Sequence, residues 1–76
     1  MNDKKRKRLN EASDLLSRAS DIIEDVKDEE QDGFDNLPEG IQESERGEAM
    51  ENAIDALDSA IDLIRDANEQ ISIAAE

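Results

Sequence analysis

The chain has no cysteine, histidine, tryptophan or tyrosine, and only one phenylalanine and one proline among its 76 residues. Without cysteine, neither a disulfide nor a thiolate metal site is available. Without histidine or cysteine, the six serines have no evident partner base, so nucleophilic and general-base catalysis are unsupported. We therefore expect no enzymatic activity, no catalytic residue and no cofactor.

Long apolar runs are also missing. No stretch approaches the roughly 18 apolar residues of a membrane-spanning helix. The basic start of the chain is followed by Asn10, Glu11 and Ser13 rather than by the apolar region of a signal peptide. We therefore expect a cytoplasmic protein that does not associate with membranes.

Charge is abundant and of one sign. The chain contains 22 acids and has a formal net charge of -13. Residues 1–8 form a basic tip with five bases and one acid, whereas residues 9–76 carry four bases and 21 acids. Phosphate contacts require Lys and Arg, so the acidic body should not bind nucleic acid directly. Its expected partner is the basic surface of another protein.

Apolar residues recur every three or four positions in the first half of the chain, which is the period of an amphipathic helix. This pattern predicts a helix over residues 9–29. With Leu9 at position a of a seven-residue repeat, all acids of residues 9–28 fall on the outer positions. The inner positions are taken by Leu9, Ala12, Leu16, Ala19, Ile23 and Val26.

The period is lost between residues 30 and 44, where Gly33, Asn36 and Pro38 are typical of a structured turn. Gly33 is expected to terminate the first helix. Ser44 is the expected N-cap of the next helix.

The clearest repeat spans residues 53–66, which contain two near-copies of one seven-residue unit, and it predicts a second helix over residues 45–74. Its large residues Met50, Leu57 and Ile64 occupy position a, with alanines at d. Small d residues favour close helix packing. The acids again occupy positions b, c and f.

Together these patterns predict an all-α fold in which one domain, residues 1–76, forms an antiparallel two-helix hairpin. The expected pairing brings Leu16 near Ala60 and Val26 near Ala49. It also brings the basic tip beside the exposed carbonyls at the end of the second helix. The apolar stripes are wider than one helix contact needs, which favours a homodimer that forms a four-helix bundle.

One acidic segment has spacing similar to a calcium-binding loop. Its candidate ligands are Asp28, Glu30, Asp32 and Glu39. The length of Glu30, the acid at position 35 and Pro38 all depart from that pattern. Calcium binding is therefore a weaker alternative.

The turn and second helix, with the sequence DNLPEGIQESERGE over residues 35–48, resemble small acidic helical-hairpin proteins of bacteriophages and mobile elements. The residues that carry the resemblance best are Asn36, Leu37, Pro38, Glu39, Ser44, Glu45 and Arg46. These proteins mostly lack assigned functions. The resemblance implies a setting in which acidic proteins inhibit host factors by occupying their nucleic-acid-binding surfaces.

The leading functional hypothesis is a DNA-mimicking interaction protein that masks a basic host protein such as a defence nuclease. A self-associating coiled-coil scaffold is the alternative, in which the acids serve solubility. The candidate partner-binding residues are the outer acids Glu48, Glu51, Asp55, Asp58, Asp62, Asp66, Asp35, Glu39 and Glu43.

Overall fold

The computed structural model describes residues 1–76 and contains helices only, which account for 88% of the chain. These are α1 (Asp3–Asp35), α2 (Glu39–Gln42) and α3 (Glu45–Ala74). The all-α prediction is confirmed. None of these helices combines the length and the apolar character needed to cross a membrane.

Helix α1 is longer at both ends than the expected 9–29. It begins after Asn2, whose side chain accepts a hydrogen bond of 2.9 Å from the backbone N–H of Lys5. It continues through Gly33, which has no positive φ, so the prediction that Gly33 terminates the helix is wrong. Phe34 explains the extension, because this half-buried residue continues the inward-facing stripe one heptad after Lys27.

A short connection over residues 36–44 contains α2, which packs on α3. The Gln42 side chain donates a hydrogen bond of 3.0 Å to the Phe34 carbonyl near the end of α1. Ser44 is the N-cap residue of α3, as expected, but its hydroxyl donates to the Ile41 carbonyl instead of accepting from the first turn of α3.

Helices α1 and α3 pack against each other along their length in opposite directions. Arg6 contacts Ala75 at one end of the pair, and Lys27 contacts Asp58 further along. The register therefore differs from the expected pairing of Leu16 with Ala60, since Ser17 lies beside Asn68. The extension of α1 to Asp35 causes the shift, because it leaves only nine residues between the helices.

The contact between α1 and α3 uses positions a and e of α3 rather than a and d. Its inward residues follow a strict 3.5-residue repeat, and each is buried or half-buried: Gly47, Met50, Ile54, Leu57, Ile61, Ile64, Asn68, Ile71 and Ala75. Of the four alanines expected to face inward, Ala53, Ala67 and Ala74 are exposed and only Ala60 is half-buried. Packing through e buries isoleucine where packing through d would bury alanine, so it removes more apolar area from water.

Candidate functional site: two faces of the helix pair

One side of the helix pair is an open apolar face. In an antiparallel pair that meets through a and e, positions d and g of both helices fall on the same side. Four large side chains at these positions remain exposed, with exposed fractions of 57% for Leu15, 65% for Ile22, 45% for Val26 and 68% for Leu63. The smaller exposed members of the face are Ala49, Ala53, Ala56 and Ala67.

The opposite side is an acidic face. Positions b and f of both helices lie there, and all of its carboxylate residues are exposed. The contact between Lys27 at e of α1 and Asp58 at b of α3 crosses this side of the pair. The acidic face holds 12 of the 22 acids: Asp3, Asp14, Asp21, Glu24, Asp28, Asp35, Glu48, Glu51, Asp55, Asp58, Asp62 and Glu69.

Three cations pair with carboxylates on this face, and one of them lies at the basic tip, where Arg6 Nη1 is 3.2 Å from Asp3 Oδ1. Lys27 Nζ lies 3.0 Å from Asp58 Oδ1, and Arg65 Nη1 lies 3.4 Å from Asp62 Oδ1. The pKa of Lys27 is raised above its ordinary value of 10.5, because the ammonium donates a hydrogen bond to Asp58 and is attracted by the charge of that residue. Asp28 and Glu24 add smaller attractions. The remaining carboxylates of the face have no ion-pair partner.

The nine predicted partner-binding residues fall into two groups. The first group lies on α3, where Asp66 is at outer position c beside the acidic face. The other five members of this group belong to the face itself: Glu48, Glu51, Asp55, Asp58 and Asp62. The other three lie at the turn end, with Asp35 and Glu39 in α1 and α2 and Glu43 just after α2. All nine are exposed.

Sequence reasoning missed a polar contact within the helix pair. Asn68 Oδ1 accepts a hydrogen bond of 3.0 Å from the Ser13 hydroxyl, and Asn68 Nδ2 donates one of 3.3 Å to Ser17 Oγ. The sequence alone shows Asn68 only as a polar residue near the end of the apolar stripe. A single polar residue in such a repeat fixes helix register, because other registers leave it unpaired.

Arg6 is the one base of the basic tip that contacts the end of α3. Its Nε donates 2.8 Å to the Ala75 carbonyl, and its Nη2 donates 3.0 Å to the Glu76 carbonyl. These carbonyls form the negative end of the helix dipole. The other four bases, Lys4, Lys5, Lys7 and Arg8, are exposed and make no side-chain hydrogen bond or ion pair.

We expect Arg6→Ala to lower the free energy of unfolding by about 1 kcal/mol, because two helix-end carbonyls lose a charged donor that is partly shielded from water. Urea denaturation followed by circular dichroism measures this loss. Arg18→Ala is the matched control, since Arg18 is exposed and makes no hydrogen bond. Equal losses of unfolding free energy in the two variants would mean that the contact of Arg6 with the end of α3 adds nothing to stability.

The calcium-binding hypothesis does not fit the fold. Asp28, Glu30 and Asp32 lie on the continuous helix α1, and Glu39 begins α2, so the predicted loop is not formed. A helix projects these positions in different directions, whereas calcium needs oxygens that converge. No group of three or more acidic side chains is arranged to hold a metal ion.

Both faces are thus formed by the side chains of one antiparallel helix pair, and the acidic one exposes mostly unpaired carboxylates. Comparisons of the chain with protein-family models, with curated proteins and with solved structures gave no match.

Proposed function

We propose that this chain is a nonenzymatic acidic interaction protein that covers a basic, nucleic-acid-binding surface of another protein and so inhibits it. One observation carries the proposal: 12 of the 22 acids are exposed together on one side of the helix pair. The few bases on that side leave a strong negative potential. Such a potential attracts basic surfaces and accelerates their association.

The spacing of the carboxylates supports mimicry of a nucleic acid. Acids at position f alone recur about every 10.5 Å, which is wide compared with the axial rise of about 3.4 Å per phosphate along one DNA strand. On α3, however, b and f acids alternate at Glu48, Glu51 and Asp55. This alternation reduces the spacing to about 5 Å. A parallel column from α1 doubles the density of charge.

The turn end extends the acidic surface. Residues 28–48 carry nine acids and one base, Arg46. The resemblance of this segment to acidic hairpin proteins of bacteriophages and mobile elements suggests the setting, in which the chain acts in the host cytoplasm against a defence nuclease or another DNA-binding protein. The partner is then a protein whose function depends on a basic groove.

The test is a variant with three acids of the face neutralised, Glu48→Gln, Glu51→Gln and Asp55→Asn. We expect the wild type to bind and inhibit one or more members of a panel of purified nucleases and DNA-binding proteins at about 0.15 M salt. The triple variant should bind at least about 30-fold more weakly. That factor corresponds to about 2 kcal/mol for three lost charge contacts at a partly desolvated interface.

The matched control neutralises three acids at outer position c of α1, with Glu11→Gln, Asp25→Asn and Asp32→Asn. These residues are exposed and have no ion-pair partner. Because both variants lose three carboxylates, they have the same net charge. We expect the affinity of the control to stay within about threefold of the wild type. Equal weakening in both variants would show a nonspecific effect of net charge. No binding to any basic protein would remove the proposal.

A second candidate function is a self-associating helical scaffold. It is favoured by the open apolar face and by the small interior, in which Ile61 is the only buried apolar residue. In that function the acids keep the assembly soluble. It predicts that the chain associates with itself and binds no basic protein, so the nuclease panel separates the two candidates.

A further inference from the structure

We propose that the open apolar face is the interface of an antiparallel, two-fold symmetric homodimer, in which two helix pairs stack face to face and run in opposite directions. The proposal is independent of the acidic partner proposed above. It assigns a single occupant, a second copy of this chain, to the surface around Leu15, Ile22 and Leu63.

The first argument is the size of the uncovered surface. The stripe on α3 from Ala49 to Ala74 is about 37 Å long, and two adjacent helices are about 18 Å wide. The stripe on α1 from Ala12 to Val26 is shorter, about 21 Å, so the face covers on the order of 500 Å², below the roughly 800 Å² per partner of a standard interface and in the range of weaker ones. Exposed Ile41 and Ile73 lie outside it. A contiguous apolar patch of this size is at the upper end of what monomers expose, and such patches often mark an interaction site.

The second argument is symmetry. The apolar stripe of α1 is centred between Ala19 and Ile22, and that of α3 is centred between Ala60 and Leu63. Both centres lie between the same two contacts, Ser17 with Asn68 and Lys27 with Asp58, so they are close to the same height along the pair. A two-fold axis at this height places the α1 stripe on the α1 stripe of the second copy and the α3 stripe on its α3 stripe, as a symmetric interface requires.

The third argument is charge, and it selects the orientation. Two stacked pairs can place their basic tips at the same end or at opposite ends. The first arrangement brings two clusters of five bases together and two turn ends of nine acids together. The antiparallel arrangement places Lys5 and Arg8, which follow the apolar stripe of α1, against the acidic turn end of the other copy.

The dimer has a consequence for the acidic faces. Because each copy buries its open apolar face, both acidic faces point outward on opposite sides of a four-helix bundle. One dimer therefore offers two equivalent acidic surfaces, which allows it to bind two basic partners or two sites of one assembly.

The first test is the mass in solution. We expect size-exclusion chromatography with light scattering to give twice the chain mass of 8.5 kDa at micromolar concentration. Leu63→Glu should raise the dimer dissociation constant at least about 100-fold, because the two-fold axis introduces the buried charge twice. Ile73→Glu is the control at an exposed position outside the face and should leave the dimer intact. A monomeric wild type, or equal dissociation by both variants, would overturn the interface.

The orientation is tested on the wild-type surface with a spin label on Lys4→Cys, which is the only thiol because the chain has no cysteine. This test does not depend on whether Leu63→Glu folds. The antiparallel dimer predicts a label separation of about 50 Å, because position 4 lies about 25 Å from the two-fold axis along α1 in each copy. Tips at the same end would give about 25 Å, the width of the bundle. A separation near 25 Å would overturn the antiparallel arrangement.

Discussion

Gly47→Ala should lower the free energy of unfolding by about 2 kcal/mol, because a methyl group at this position overlaps backbone atoms. A Cβ on Gly47 would lie 2.0 Å from the Gln42 carbonyl oxygen and 2.5 Å from its carbon. Backbone atoms cannot rotate away as a flexible side chain can. Helix α2 must therefore move off the first turn of α3, which also strains the hydrogen bond from Gln42 to Phe34.

The matched control is Gly40→Ala on α2. No atom lies within 4 Å of a Cβ at Gly40, and this glycine is exposed. Alanine restricts the unfolded chain more than glycine does, so we expect a gain of about 0.5 kcal/mol. Urea denaturation gives both values. If Gly47→Ala were as stable as Gly40→Ala, the close packing of α2 on α3 would be wrong.

The 3.6-residue period of apolar residues was enough to predict both long helices. It was not enough to predict where α1 ends. Glycine commonly terminates helices, but at Gly33 the gain from packing Phe34 against the pair and from the Gln42 contact outweighs the preference of glycine for turns. Such tertiary contacts arise from residues distant in the sequence, so local reasoning cannot weigh them.

The heptad frame was ambiguous for a related reason. In α3, positions a, d, e and g are all largely apolar, so two different pairs of positions can form the contact with α1. The alanines at d were the expected contact, whereas the fold buries Ile61 and half-buries Ile54 at e and leaves three of the four alanines exposed. Side-chain volume was the signal that decides between them. The outward placement of most acids did not depend on this choice, because b and f lie away from the contact in either frame, whereas Glu30 at position a is half-buried.

Ile61→Ala is the second substitution with a large expected effect. Ile61 is 9% exposed and is the only buried apolar residue, so its side chain is the one most completely shielded from water. Truncation of a buried isoleucine removes three carbons and leaves a cavity. We expect the free energy of unfolding to fall by about 3 kcal/mol, which is a large fraction of the stability of a small domain.

Ile73→Ala provides the same chemical change at a side chain that is 53% exposed. Its lost burial is small, and alanine has the higher helix propensity, so we expect a change within about 0.5 kcal/mol. Urea denaturation must be carried out at one chain concentration, because dimer formation adds a concentration-dependent term. A comparable loss in both variants would mean that the packing through position e is wrong. A loss confined to Ile61→Ala would support a and e as the contact, and would leave positions d and g free to form the second interface.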